Sequence, residues 1–187
     1  MKSGMSIVSD KLGKFQKSLS ALMVAKVLVG VPAKNAERDD ENDEPGPINN
    51  AAIGYLMENG SPEKNIPARP FLIPGVKDAQ KQIAEVLQGG TINALSGNEA
   101  GFTRSLKEAG QIAASSVQNK IDSGPFAPLS DRTLRERARK QVVSGGTKAD
   151  RESAKEALKS GDYSDVNAKP LIDTGQLLRS ISFIIRK

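Results

Sequence analysis

The segment Ile66-Pro67-Ala68-Arg69-Pro70-Phe71-Leu72-Ile73-Pro74 restricts the fold more than any other stretch of the chain. Each proline fixes φ at about −65° and biases the residue before it (Ile66, Arg69, Ile73) toward extended backbone. The segment is expected to be neither a helix nor a paired central strand. It should form a stiff strap that holds one aromatic ring, Phe71, and one cation, Arg69, in set directions. The pattern turns helical directly afterwards. A rigid strap feeding a helix suggests a docking surface more than a catalytic pocket.

The 187 residues suit one domain spanning 1–187, with insertions expected at 34–49 and 142–168. Aromatic residues make up only 4%, so the core must rely on Ile, Leu, Val and Ala. The chain contains no Cys, Trp or His. That excludes disulfides, thiolate and imidazole metal sites, and triads with a histidine base. A carboxylate Ca²⁺ site must be weighed at Glu37, Asp39, Asp40, Glu41, Asp43 and Glu44. An EF-hand needs Gly at its sixth position and Glu at its twelfth; counted from Asp40, those positions hold Pro45 and Ala51. The run reads as a solvated loop, and no metal or cofactor is expected.

The net charge of +5 and pI near 9.4 make the chain mildly basic, with both signs interspersed. No apolar run reaches the ~18 residues of a membrane span, and the N-terminus lacks a signal-peptide pattern. The expectation is a soluble protein in the cytoplasm until it joins something, with no membrane partner.

Residues 6–23 read as an amphipathic helix with Val8, Leu12, Phe15, Leu19 and Leu22 on one face. Residues 24–31 read as a strand, with Val27, Val29 and Val31 alternating onto one side. A short helix is expected from Asn50 to Asn59, capped by Gly60. Another should run from Val76 to Gln88, ended by Gly89-Gly90, with a loose connector over 91–97. Asn98 should cap a long helix to about Ile121, with Phe102, Leu106, Ala109, Ala113, Val117 and Ile121 on its inner stripe. Ser130 fits an N-cap for a basic helix to about Gln141. Thr147 and Asp150 make a capping-box-like start for a charged helix to Lys159, in a region that looks peripheral. Asp173 or Thr174 should cap a short turn of helix, and 180–186 reads as a strand pairing with 24–31. The fold class is α/β (α+β): a small mixed sheet with strands near 24–31 and 180–186, flanked by helices and carrying long inserted loops.

Two constellations bear on chemistry. Asp173-Thr174-Gly175 is the active-site tripeptide of aspartic proteases, but Gln176 follows it and only twelve residues remain after Gly175. A helix cap is the simpler reading. The helix carrying Arg132, Arg135, Arg137, Arg139 and Lys140 offers a DNA-facing or partner-facing basic surface, without aromatic interleaving or a helix-turn-helix pattern. No catalytic constellation is found, and the chain reads as a binding or structural protein rather than an enzyme. The alternative is a basic nucleic-acid-binding accessory protein.

Two stretches together resemble the virion-morphogenesis proteins of tailed bacteriophages, variously called tail-completion, neck or head–tail joining proteins. The first is Tyr55-Leu-Met-Glu-Asn-Gly-Ser61 followed by Ile66-Pro-Ala-Arg-Pro-Phe-Leu72. The second is Pro125-Phe-Ala-Pro-Leu-Ser130 with Thr133-Leu-Arg-Glu-Arg137, then Lys169-Pro-Leu-Ile-Asp-Thr-Gly-Gln-Leu-Leu-Arg-Ser-Ile181. The resemblance implies a non-enzymatic subunit of a ring, commonly six-fold, at the neck or tail end of a virion. Its partners would be copies of itself, the head–tail connector or stopper, tail terminator, tube or sheath proteins, and genomic DNA in transient non-specific contact. On that reading Arg69, Pro70, Phe71, Leu72, Asp173, Thr174 and Gly175 belong to the subunit interface. The acidic run and the 142–168 insert lie outside the resemblance.

Overall fold

The structure, a computed structural model, describes residues 5–37, 49–144, 147–164, 166 and 169–186. It is an α+β fold, mostly helical with one small sheet. The elements run α1 (Met5–Val24), β1 (Lys26–Gly30), α2 (Asn50–Asn59), α3 (Leu72–Asp78), α4 (Gln80–Leu95), α5 (Glu99–Ser123), α6 (Asp131–Ser144), α7 (Lys148–Ser160), α8 (Gln176–Ser180) and β2 (Ser182–Arg186).

The long helix α5 is the axis. Asn98 caps it as expected, its side chain accepting from the Gly101 N–H at 2.9 Å. All six residues of the expected inner stripe are buried, and Gly124 with Pro125 ends the helix. The strands β1 and β2 join the two ends of the chain across α5. They pair antiparallel, with Val27 opposite Ile185 and Val29 opposite Phe183, and those four residues pack into the apolar clusters around α5. Phe183 approaches Gly110 so closely that a Cβ there would collide with its ring. The mixed sheet expected from sequence is, among the described residues, an antiparallel pair.

The main core joins Phe71, Ala114, Val117, Ile121, Leu177 and Ile181. Helix α3 lies close on α5 because Gly75 faces the backbone of Val117; a Cβ there would sit 2.7 Å from the Val117 Cα. The Ser116 hydroxyl donates to the Gly75 carbonyl at 2.6 Å at the same crossing.

Several expectations are corrected. The strap is extended only as far as Pro70, and Leu72, Ile73 and Pro74 form the first turn of α3. Proline is tolerated there because a first-turn N–H has no intrahelical acceptor anyway. Gly89-Gly90 does not end a helix. Helix α4 continues to Leu95, and Gly90 is where it approaches Ser105 of α5. The expected connector over 91–97 is therefore helical as far as Leu95.

The described part of the 142–168 region, expected to be peripheral, is packed against α6. Helix α7 begins with the full Thr147–Asp150 capping box and packs on α6 around Ala138, Ala157, Tyr163 and Val166, a second small core. Of the acidic run only Glu37 is described; the rest lies outside the described residues. The two sides of that segment meet, since the Asn50 N–H donates to the Ala36 carbonyl at 2.7 Å and its side chain to the Glu37 carbonyl at 3.1 Å.

Candidate partner-docking site

The strap owes its shape to α2. Asn49 caps that helix and Gly60 ends it, and the Gly60 Cα sits against the returning chain, where a Cβ would lie 2.7 Å from the Ala68 nitrogen. Residues 61–66 close a tight loop through paired Ser61–Ile66 backbone bonds of 2.9 Å, with Asn65 in the left-handed region at φ 51°. The strap then runs back along α2, and the Arg69 N–H donates to the Met57 carbonyl at 2.7 Å.

Glu58 governs the end of the strap. Its carboxylate accepts from the N–H groups of Phe71 at 2.7 Å, Leu72 at 2.8 Å and Ile73 at 3.1 Å. Pro74 has no N–H, and Gly75 donates to the Phe71 carbonyl. Every donor of the first turn is thus accounted for, with a negative charge placed at a helix start. Sequence reasoning used Glu58 only as part of a resemblance. Its signal was an acid before a proline-bearing helix start with no Ser, Thr, Asp or Asn at the cap.

Phe71 is 2% exposed and Arg69 6%. Phe71 is sealed in the core of its own chain, so the expectation that it docks on a neighbouring subunit is corrected, because a small core short of aromatics consumes it. Arg69 is buried as well but lines a cleft. Leu72 is half-buried and packs against the same core, while Pro70 is exposed.

Arg69 reaches to the segment before α6. Its Nε donates to the Ala127 carbonyl and its Nη2 to the Pro128 carbonyl, each at 2.8 Å. It thereby brings together the two stretches that carried the resemblance. Between them lies a cleft of about 460 Å³. Ile53, Met57, Ile66, Leu171 and Leu177 supply its apolar walls; Arg69, Arg137 and Lys64 supply cations; Asp173, Thr174 and Gly175 border it. Leu171 holds a left-handed φ of 64°, uncommon for a branched side chain.

Burial holds the Arg69 guanidinium below its ordinary pKa. Arg137 is lowered too, chiefly by burial and also by Arg69, with Asp173 pulling the other way. Its Nη1 donates to the Lys169 carbonyl at 2.8 Å.

Asp173 does not cap α8. The cap position is Gly175 at φ 74°, and of the two expected caps it is Thr174 whose hydroxyl accepts from the Gln176 N–H, at 3.5 Å. Asp173 instead faces α6, with Arg137 Nε at 3.8 Å and Lys140 Nζ at 3.3 Å. The Thr174 carbonyl accepts from Arg179 at 3.1 Å. The basic helix is largely engaged within the chain. Arg135 donates to the Tyr163 hydroxyl, Arg139 pairs with Glu136, Lys140 pairs with Asp173 and Arg137 is half-buried, while Arg132 makes no side-chain bond among the described residues.

A second surface was not anticipated. The sequence put Leu12, Phe15 and Leu19 of α1 on the apolar face of an amphipathic helix. The structure leaves them 55%, 49% and 44% exposed, and only Leu22 of that stripe packs inward. The Val8 side chain lies outside the described residues. Met23 and Val24 continue the exposed face, and Leu28 of β1 and Ile92 and Leu95 of α4 are exposed as well. A shallow groove lined by Met23, Val24, Lys26, Leu28 and Arg186 marks its junction with the sheet. Among the described residues α4 is the main element that packs on α1, and it leaves these side chains exposed.

Among the described residues, no group of three or more acidic side chains could hold a metal ion, and no helix is long and apolar enough to cross a membrane. No protein family, curated protein or solved structure matches this chain.

Proposed function

We propose that this chain is a structural subunit that assembles with copies of itself into a ring at the neck of a tailed bacteriophage, joining the tail to the head connector around the DNA passage. The observation that carries the reading is the apolar face of α1, continued by Leu28 of β1. Large contiguous apolar patches on a small protein mark sites where another protein docks. Both outer edges of the β1–β2 pair also lack a strand neighbour among the described residues, and such edges invite pairing with another chain.

The charge around the face favours a head-to-tail contact. Lys26 and Arg186 border its junction with the sheet and are exposed. Apposing the face on itself would bring those cations together, whereas docking it on a different surface of the next copy would not. A heterologous contact of that kind closes into a ring when its rotation permits. The resemblance in the strap and in the stretch ending at Ile181 supplies the virion context. A mildly basic subunit suits a DNA conduit, because phosphate contacts that are few and weak let the genome slide.

The test is assembly. Sedimentation and negative-stain microscopy of the concentrated protein, alone and with a head connector, should show closed rings. Phe15→Glu and Leu19→Glu place a charge on the exposed face without touching the core. Each should abolish rings while leaving the helical circular dichroism and melting temperature unchanged. Wild-type protein that stays monomeric under both conditions, or rings that persist in both variants, would refute the reading.

A further inference from the structure

We propose that the Arg69–Arg137 cleft is a receptor for a peptide segment of a neighbouring protein that presents a carboxylate beside an aliphatic side chain. Arg69 is almost wholly buried, yet no carboxylate of the described residues contacts it. Its two hydrogen bonds go to neutral carbonyls, of Ala127 and Pro128. A guanidinium has five N–H groups, so a buried one held by two carbonyls retains donors and an uncompensated charge. Arg137 lies near enough to raise the local positive potential further. Asp173, the acidic group bordering the cleft, is already shared between Arg137 and Lys140. Among the described residues the cleft therefore carries surplus positive charge that a carboxylate would balance, and an arginine fork matches a carboxylate in shape as well as charge.

The walls define the rest of the ligand. Met57, Ile66, Leu171 and Leu177 offer aliphatic contact beside the cations. That combination suits an acidic side chain with an aliphatic neighbour. It suits phosphate less well, because phosphate has no aliphatic group to set against those walls and is a strongly hydrated anion costly to desolvate beside them. The strained backbone of Leu171 in the wall fits a site shaped for a ligand.

The proposal stands apart from the ring reading, and the experiment separates them. Full-length protein labelled with ¹⁵N is titrated at constant ionic strength, following the Nε–H resonances of Arg69 and Arg137. The probes are an acetylated and amidated Ile-Glu-Leu tripeptide, its Ile-Gln-Leu counterpart and inorganic phosphate. Saturable shifts at both arginines are expected with the Glu peptide, and affinity weaker by about tenfold with the Gln peptide. Lys64 is an exposed residue of the rim that makes no side-chain bond among the described residues. Lys64→Glu should therefore weaken binding about fivefold without altering the fold. Leu19→Glu should leave it unchanged, so loss of assembly and loss of peptide binding fail independently. Absence of saturable shifts, equal binding of both peptides, phosphate binding in preference to the Glu peptide, or an undiminished Lys64→Glu affinity would each overturn the proposal.

Discussion

Glu58 shows how much one side chain decides. A helix whose first turn contains Pro74 and whose cap residue is Phe71 has no local means of satisfying its N–H groups, so a carboxylate from α2 is brought across to do it. Glu58→Gln keeps the shape but removes the charge and one acceptor oxygen. It should destabilise the protein by about 1–3 kcal/mol, read as a lowered denaturant midpoint with an unchanged slope. Phe71→Ala should cost more, about 3–5 kcal/mol, because the ring fills a core formed by α5, α8 and the strap. Arg69→Lys tests the clamp onto Ala127 and Pro128: the planar fork is lost, and amide exchange should quicken in 124–130 before it does in α5.

At the level of elements, adjacent glycines in α4 have opposite meanings. A Cβ on Gly89 would meet nothing within 4 Å, whereas one on Gly90 would lie 2.7 Å from the Ser105 Cβ. Gly89→Ala should therefore stabilise by about 0.5–1 kcal/mol through helix propensity alone. Gly90→Ala should destabilise, by about 1–3 kcal/mol, as α4 is pushed off α5. Thermal melts of the two variants should shift in opposite directions. Helix α7 carries a pH signature. Asp150 accepts from the Thr147 hydroxyl and N–H, and these bonds hold its pKa below the ordinary 3.8. Its contribution to the helix is present above that ordinary value and is lost as pH falls through the lowered folded value. Amide protection in the first turn of α7 should fall over that acidic window, and Asp150→Asn should flatten the response.

For the whole molecule, the cohesion is uneven. The main core runs through α5, the strap, α8 and the sheet, while α6 and α7 share a smaller core around Tyr163. Tyr163→Ala should release α7 locally, with faster exchange in 148–160 and little change in α5. The exposed face of α1 and β1 belongs to this scale too. A surface this apolar is tolerable in a subunit that is soon covered and a liability in one that is not, so assembly and solubility should change together in the Phe15→Glu and Leu19→Glu variants.

Local chemistry was legible in the sequence wherever one turn or one stripe decided the outcome. Asn98 as a cap, the Phe102-to-Ile121 stripe, the Thr147–Asp150 box and the Asn50–Asn59 helix all follow from spacing and capping rules that need no distant partner. What the sequence could not settle was anything that depended on which surface lay opposite. Gly90 reads as a breaker until Ser105 is known to face it, and Pro74 reads as extended backbone until Glu58 arrives to cap the turn. Phe71 and Leu19 are both large apolar residues on plausible faces, yet one is sealed in the core and the other lies open to solvent. Periodicity tells a residue which way to point, but only the packing of the remaining elements determines whether anything is there to meet it.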